Sequence, residues 1–190
     1  MTHLTRRRQA PLARSVALGL AAISVTAIAQ AALSAPRDAH VAFEAAGPAG
    51  MKIEGSTSEL KIDEADGNVT IDVPLANLVT GIALRDRHMR EKYLEVQKFP
   101  DAVLVVTRSA LKIPASGARA EADAPGTLKL HGQVRPVTVH YDATADGDGL
   151  LVHGAVHVKM DDYGIALPSY LGVTVKPDVN VSASFHVSGA

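Results

Sequence analysis

Asp178-Val179-Asn180-Val181-Ser182-Ala183-Ser184-Phe185-His186-Val187 places an apolar side chain at every second position near the end of the chain. Successive side chains of an extended strand point to opposite faces. Val179, Val181, Ala183, Phe185 and Val187 therefore share one face, and Asn180, Ser182, Ser184 and His186 share the other. One face is apolar and the other wet, which is the pattern of an antiparallel sheet covered on a single side.

The same period recurs upstream. Val152, Val156, Val158 and Met160 alternate with His153, His157 and Lys159; Val137, Val139 and Tyr141 with Thr138 and His140; Val69, Ile71 and Val73 with Thr70 and Asp72. Between these runs stand Asp66-Gly67-Asn68, Pro125-Gly126 and Asp146-Gly147-Asp148-Gly149, residues that accept the dihedrals of tight hairpins. Pro114 to Gly126, rich in Ala, Gly and Pro, reads as the longest loop. Met89, Tyr93 and Val96 fall at roughly helical spacing, which predicts a short helix near residues 85–98. About eight antiparallel strands must deal with their edges, and closure into a barrel removes them; a β-sandwich is the alternative.

The chain has 190 residues, 47% hydrophobic and 21% charged, enough apolar material for one core. Its 19 basic and 20 acidic residues lack the positive excess that drives binding to nucleic acid. With no cysteine there is no disulfide, thiolate chemistry or cysteine-ligated metal.

The N-terminus carries Arg6, Arg7, Arg8 and Arg14, then an uncharged run from Val16 to Ala29, then small residues suited to signal peptidase. This is the pattern of a secretory leader, and it predicts removal of residues 1–31. The run of 14 residues is short for a membrane span, which needs ~20. Cleavage would remove four arginines and no acids, leaving 15 basic against 20 acidic residues in a soluble periplasmic or secreted protein.

The histidines invite a metal reading that their spacing opposes. His153 and His157 are four apart on a strand, about 13 Å, too far to share an ion. His131, His140, His153, His157 and His186 fall on polar phases and read as solvent-exposed. The Asp146–Gly149 turn lacks the ligand pattern of a calcium loop, and Ser169 lacks a nucleophile elbow. Arg85, Asp86 and His88 form the most notable polar cluster. They suit the polar end of a ligand, or a structural role in which Asp86 caps the short helix.

Three groups of residues, in order, carry a family resemblance. Thr80-Gly81, Arg85-Asp86-Arg87-His88-Met89 and Phe99-Pro100-Asp101 form the first. Gly126-Thr127-Leu128-Lys129-Leu130-His131-Gly132 with Arg135-Pro136-Val137 is the second. Asp161-Asp162-Tyr163-Gly164-Ile165, Leu171-Gly172 and Asp178-Val179 make the third. Together they resemble the YceI-like family of secreted lipid-binding proteins over roughly residues 38–190. The resemblance implies a lipocalin-like all-β barrel around a long apolar chain, such as a polyisoprenoid, a fatty acid or its amide, and no catalytic activity. Positions where the family pattern carries aromatic rings hold Thr57 and Leu104 here.

Aromatic residues make up only 4% of the chain, so the lumen is either held open for a ligand or packed solid by its aliphatics. Composition does not choose between them. With the resemblance setting the phase, the expected ligand-facing residues are Ile71, Val73, Leu104, Val139, Val156, Val158, Val181 and Phe185, with Arg85, Asp86 and His88 at a polar end. The expected partner is an apolar or amphiphilic lipid, with a homodimer left open and no nucleic acid, metal or cofactor. Two other readings stay open: a structural or stress-response module with a solid core, and a lipid-modifying enzyme using His88 and Asp86.

Overall fold

A computed structural model describes residues 36–147, 149–170 and 173–188. The predicted leader, residues 1–31, lies outside the described residues, as does Asp148 of the predicted glycine-rich turn.

Nine strands form one antiparallel sheet: β1 (Arg37–Ala46), β2 (Lys52–Thr57), β3 (Lys61–Ala65), β4 (Asn68–Pro74), β5 (Asp101–Thr107), β6 (Arg119–Leu130), β7 (Gln133–Asp146), β8 (Gly149–Lys159) and β11 (Asp178–Ser188). Their order is β2-β1-β11-β8-β7-β6-β5-β4-β3, and a separate pair, β9 (Ser169–Tyr170) and β10 (Val173–Thr174), forms a small ribbon. The strongly alternating C-terminal strand, β11, lies inside the sheet, with β1 on one side and β8 on the other.

The fold is thus the expected all-β antiparallel barrel type, with nine main strands rather than about eight. Closure is incomplete: β2 and β3 end the sheet, follow each other in sequence and form no ladder with one another. The segment after β4 covers part of the β2 edge instead. The Ser56 and Val79 amides donate to each other's carbonyls at 2.8 and 3.0 Å, so that stretch of edge is paired without a tenth strand.

The helical segment lies where the spacing put it. An α-helix, α1 (Ala83–His88), passes into a wider turn over Met89–Tyr93, in which the Leu94 amide reaches the Met89 carbonyl at 2.8 Å, the i−5 pattern of a π-turn. Asp66 and Gly67, at φ 52° and 74°, make the β3–β4 turn with the left-handed pair that a two-residue hairpin requires.

Two expectations fail in β6. Pro125-Gly126 is not a turn, and only the first part of the stretch from Pro114 is loop; Arg119 to Leu130 is a twelve-residue strand. Arg119, Glu121 and Asp123 point outward while Ala120, Ala122 and Ala124 point inward, so period two is present but written in alanine. Pro125 sits where the β5 ladder has just ended at Gly126 opposite Val106, a place that tolerates a residue without an N–H.

His131 also departs from its expected exposed position. With φ 49° beside Gly132 at 75°, it forms the β6–β7 turn and is folded inward, its side chain only 12% exposed. Its ring meets Phe99 edge-on at 4.6 Å. Nε2 lies 3.0 Å from the Glu95 carboxylate and Nδ1 lies 3.1 Å from the Tyr163 carbonyl. The turn is thereby tied to the segment after α1 and to the short helical turn Asp161–Tyr163.

Buried apolar residues form three groups around the sheet's concave side. One end is closed by Val41, Leu60, Leu150, Phe185 and Val187. The other carries Ala45, Val158, Tyr163, Ile165, Val175 and Val179. Val106, Ala124, Val139, Tyr141 and Ala143 form a wall. These groups do not fill the space they enclose.

Candidate ligand cavity

The concave face surrounds a cavity of about 780 Å³, within the range typical of small-molecule sites. Each strand contributes its apolar phase. β4 supplies Val69, Ile71 and Val73, β5 Ala102, Leu104 and Val106, β8 Val152, Gly154, Val156 and Val158, and β11 Val179, Val181, Ala183 and Phe185. Ile71, Val73, Leu104, Val156 and Val181 are only half-buried although they face inward, because the surface they leave uncovered belongs to the cavity.

Small residues keep the space clear. Gly154 lies on the inner face of β8, paired with Tyr141 on one side and Ala183 on the other. A Cβ built on it would meet nothing closer than Val139 Cγ1 at 3.9 Å. Gly55 acts differently: Phe43 is its register partner on β1, and its ring lies across Gly55 so closely that an added Cβ would stand 2.4 Å from a ring carbon. Tyr141 is fixed by the Lys112 backbone amide, which donates to its hydroxyl at 2.6 Å.

One end of the cavity opens between the β1–β2 loop and α1. Pro48 and Met51 stand on one side, Ile82, Leu84, Arg85, His88 and Met89 on the other, and several of these are strongly exposed. Thr80, Arg85 and His88 bring polar groups to this rim, and of the remaining lining only Tyr93, Tyr141, Ser169 and Ser182 carry polar side chains among the described residues.

Arg85 and His88 thus line the opening, but Asp86 does not. Nor does Asp86 cap the helix: residue Ile82 occupies the N-cap position, with no side-chain cap. The buried Asp86 carboxylate instead accepts from the Thr80 amide at 2.7 Å and from the Thr80 hydroxyl in a very short contact. These bonds, the hydroxyl's first, hold its carboxyl below the usual carboxylate range against the cost of burial. Arg85 Nε donates to the Thr80 hydroxyl at 2.7 Å and Nη2 to the Thr80 carbonyl at 2.8 Å; Arg90 Nη1 donates to the Leu78 carbonyl at 3.2 Å. Asp86, Arg85 and Arg90 therefore strap the loop before the helix to the helix itself. The Asp86 carboxylate that an acid–base pair with His88 would use accepts instead from Thr80.

The remaining expected residues, Ile71, Val73, Leu104, Val139, Val156, Val158, Val181 and Phe185, all line the cavity. Sequence reasoning missed the contributions of β1, β2, β3 and β6, among them Phe43, Ile53, Ile62, Leu128 and Leu130, and the apolar rim. Val41 and Phe43 alternate on β1, a signal present but short. His153 and His157 both lie on the outer face of β8, and no group of three or more metal-ligating side chains occurs among the described residues. No helix among the described residues is long and apolar enough to cross a membrane.

Comparison with known proteins agrees with this architecture. A UPF0312 protein of Pseudomonas putida is 30% identical over 122 residues, covering 60% of this chain and 60% of the relative. One of Pseudomonas syringae pv. tomato is 31% identical over 120 residues, covering 58% and 59%. The similarity thus spans about three fifths of the length of these relatives. Among solved structures, a polyisoprenoid binding domain from Saccharophagus degradans implicated in plant cell wall breakdown superposes with a TM-score of 0.71 at 17% identity, covering 85% of this chain and 99% of that one. Burkholderia cenocepacia BcnA gives 0.62 at 16% identity, covering 80% and 96%. Both have the same fold. The model of the YceI-like domain matches residues 34–187, and the chain belongs to that family.

Proposed function

We propose that the protein is an exported binding protein that sequesters or carries an apolar or amphiphilic molecule, a polyisoprenoid, fatty acid or fatty amide, with its chain along the lumen. The apolar cavity of about 780 Å³ carries this reading. Empty apolar volume in a protein interior costs ~24 cal/mol per Å³, so a lumen of this size does not stand dry and must be filled. Water is a poor filler for walls of Val, Ile and Leu that offer it few hydrogen bonds. An apolar chain is a good one: each buried methylene contributes ~0.8 kcal/mol, so about ten of them reach the micromolar range.

The charged Arg85 beside His88 at the rim orients the occupant, with the head there and the chain toward Val41, Leu60 and Phe185. The leader-like pattern of residues 1–31 supports a location beyond the inner membrane, and the fold shared with a polyisoprenoid binding domain supports a lipid ligand.

The test is equilibrium titration of the purified, delipidated chain with a fluorescent polyene fatty acid, followed by competition with a polyprenol. Saturable uptake reversed by the polyprenol supports the reading. Absence of uptake by protein with an intact thermal transition overturns it. Arg85→Ala should weaken the fatty acid more than the uncharged polyprenol, because only the carboxylate gains from the guanidinium.

A further inference from the structure

We infer that the rim of the cavity docks on an anionic lipid surface, so that a ligand passes between bilayer and lumen without crossing water. This rests on the carrier reading and adds the surface from which the carrier loads. Met51, Ile82 and Leu84 are 53%, 54% and 55% exposed, and all three line the cavity at its opening. Single exposed apolar residues are ordinary. Here three of them, from two separate segments, form one continuous apolar surface with the lumen, which is the path a hydrocarbon chain needs.

Charge selects the partner. Residues 82–92 hold four bases, Arg85, Arg87, Arg90 and Lys92, against Asp86 and Glu91, and Asp86 is buried against Thr80. The rest of the chain after residue 31 has 11 bases and 18 acids. The segment with the exposed apolar side chains is thus a positive island on an acidic protein. Arg87 is exposed three residues after Leu84 in the same helix, and Lys92 lies over the Tyr93 ring at 5.4 Å. Across the opening, Lys52 follows Met51 and is paired with Glu44 at 2.9 Å. Exposed apolar side chains flanked by bases are what an anionic membrane interface attracts, the former by burial in the acyl boundary and the latter by surface potential.

Flotation of the full mature chain with phosphatidylcholine vesicles, and with vesicles of phosphatidylcholine and phosphatidylglycerol, tests the assignment. The wild type should float with the mixed vesicles, less so as salt is added. Leu84→Asp and Arg87→Glu should each reduce this, the charge reversal by about tenfold. Arg87 does not line the cavity, so Arg87→Glu should take up the polyene fatty acid as the wild type does. Equal binding to both vesicle types would overturn the anionic assignment. Uptake of the probe with binding to neither vesicle would overturn docking and leave the carrier reading standing; flotation without uptake would do the reverse. A stable dimer that Leu84→Asp dissociates, with no vesicle binding, would make the rim a self-interface and overturn the proposal.

Discussion

Replacing Gly154 by phenylalanine separates an open lumen from a packed core. The residue sits in the inner face of β8, lines the cavity, and has nothing within 3.9 Å of where its Cβ would lie. In the structure described, a phenyl ring there enters open space and covers the half-buried faces of neighbouring aliphatics. Burial of the ring contributes ~1.5–3 kcal/mol, and loss of a strand glycine adds roughly 0.5–1 kcal/mol through the unfolded chain. The sum is an upper bound because denatured chains are partly compact. For a domain of this size it corresponds to a rise in Tm on the order of 5–10 °C. Calorimetry of the delipidated variant should show that rise, and the polyene fatty acid should bind far more weakly because the ring obstructs the lumen. Gly154→Ala is the control: a small gain in stability with uptake retained. A fall in Tm matching the ~1–3 kcal/mol of an overpacked interior, with uptake unchanged, would refute the reasoning.

Gly55→Ala should act in the opposite sense to Gly154→Phe, because its Cβ would meet the Phe43 ring at 2.4 Å; a loss of about 1–3 kcal/mol is expected in denaturant titration, with altered uptake as the ring swings. Tyr141→Phe removes the acceptor of the Lys112 amide, and chemical denaturation should show a loss of about 1 kcal/mol while the cavity keeps its volume. Asp86→Asn should lower Tm and loosen the 75–88 segment, visible as faster amide exchange at Thr80, without abolishing uptake. Stability should also fall at acid pH. The carboxyls of Asp86, bonded to Thr80, and Glu95, bonded to Lys98 and His131, lie below their ordinary range in the folded state. Their contribution is complete above the unfolded value near about 4 and is lost as pH drops through the lowered folded values, an effect a Tm series from neutral to acid pH detects and Asp86→Asn should diminish. Asp72 works against this trend, since burial and the nearby Asp101 raise its carboxyl.

The strands that were legible in the sequence are those in which branched aliphatics alternate with polar residues: β4, β7, β8 and β11. The first part of β6 was not, because its inner face there is Ala120, Ala122, Ala124 and Gly126, before Leu128 and Leu130, and alanine and glycine carry little hydrophobic contrast against the intervening charges. Its Pro125-Gly126 has the chemistry of a turn, and only the end of the β5 ladder at that point explains why a strand accommodates it. His131 was misplaced for a related reason. A histidine on a polar phase says nothing of Glu95, Phe99 and Tyr163, which tertiary folding brings to it.

The cavity divides similarly. Strand alternation and the family phase found its central walls, since side chains of one phase must share the concave face. Whether those walls meet depends on sheet curvature and on where small residues fall, and Gly154, Ala102 and Ala183 line the lumen without filling it. Asp86 shows the limit of local rules. An acid early in a helix reads as a cap, but here the chain turns at Gly81, with φ 80°, and presents Thr80 to it instead.

Native mass spectrometry of the protein, gently purified from cells that express the full chain and compared with the same sample after organic extraction, addresses the greasy lumen most directly. The account predicts a population heavier than the polypeptide by a discrete lipid mass, lost on extraction and restored by adding a polyprenol or fatty acid. A single species at polypeptide mass that accepts neither compound, from protein with a normal thermal transition, would contradict it.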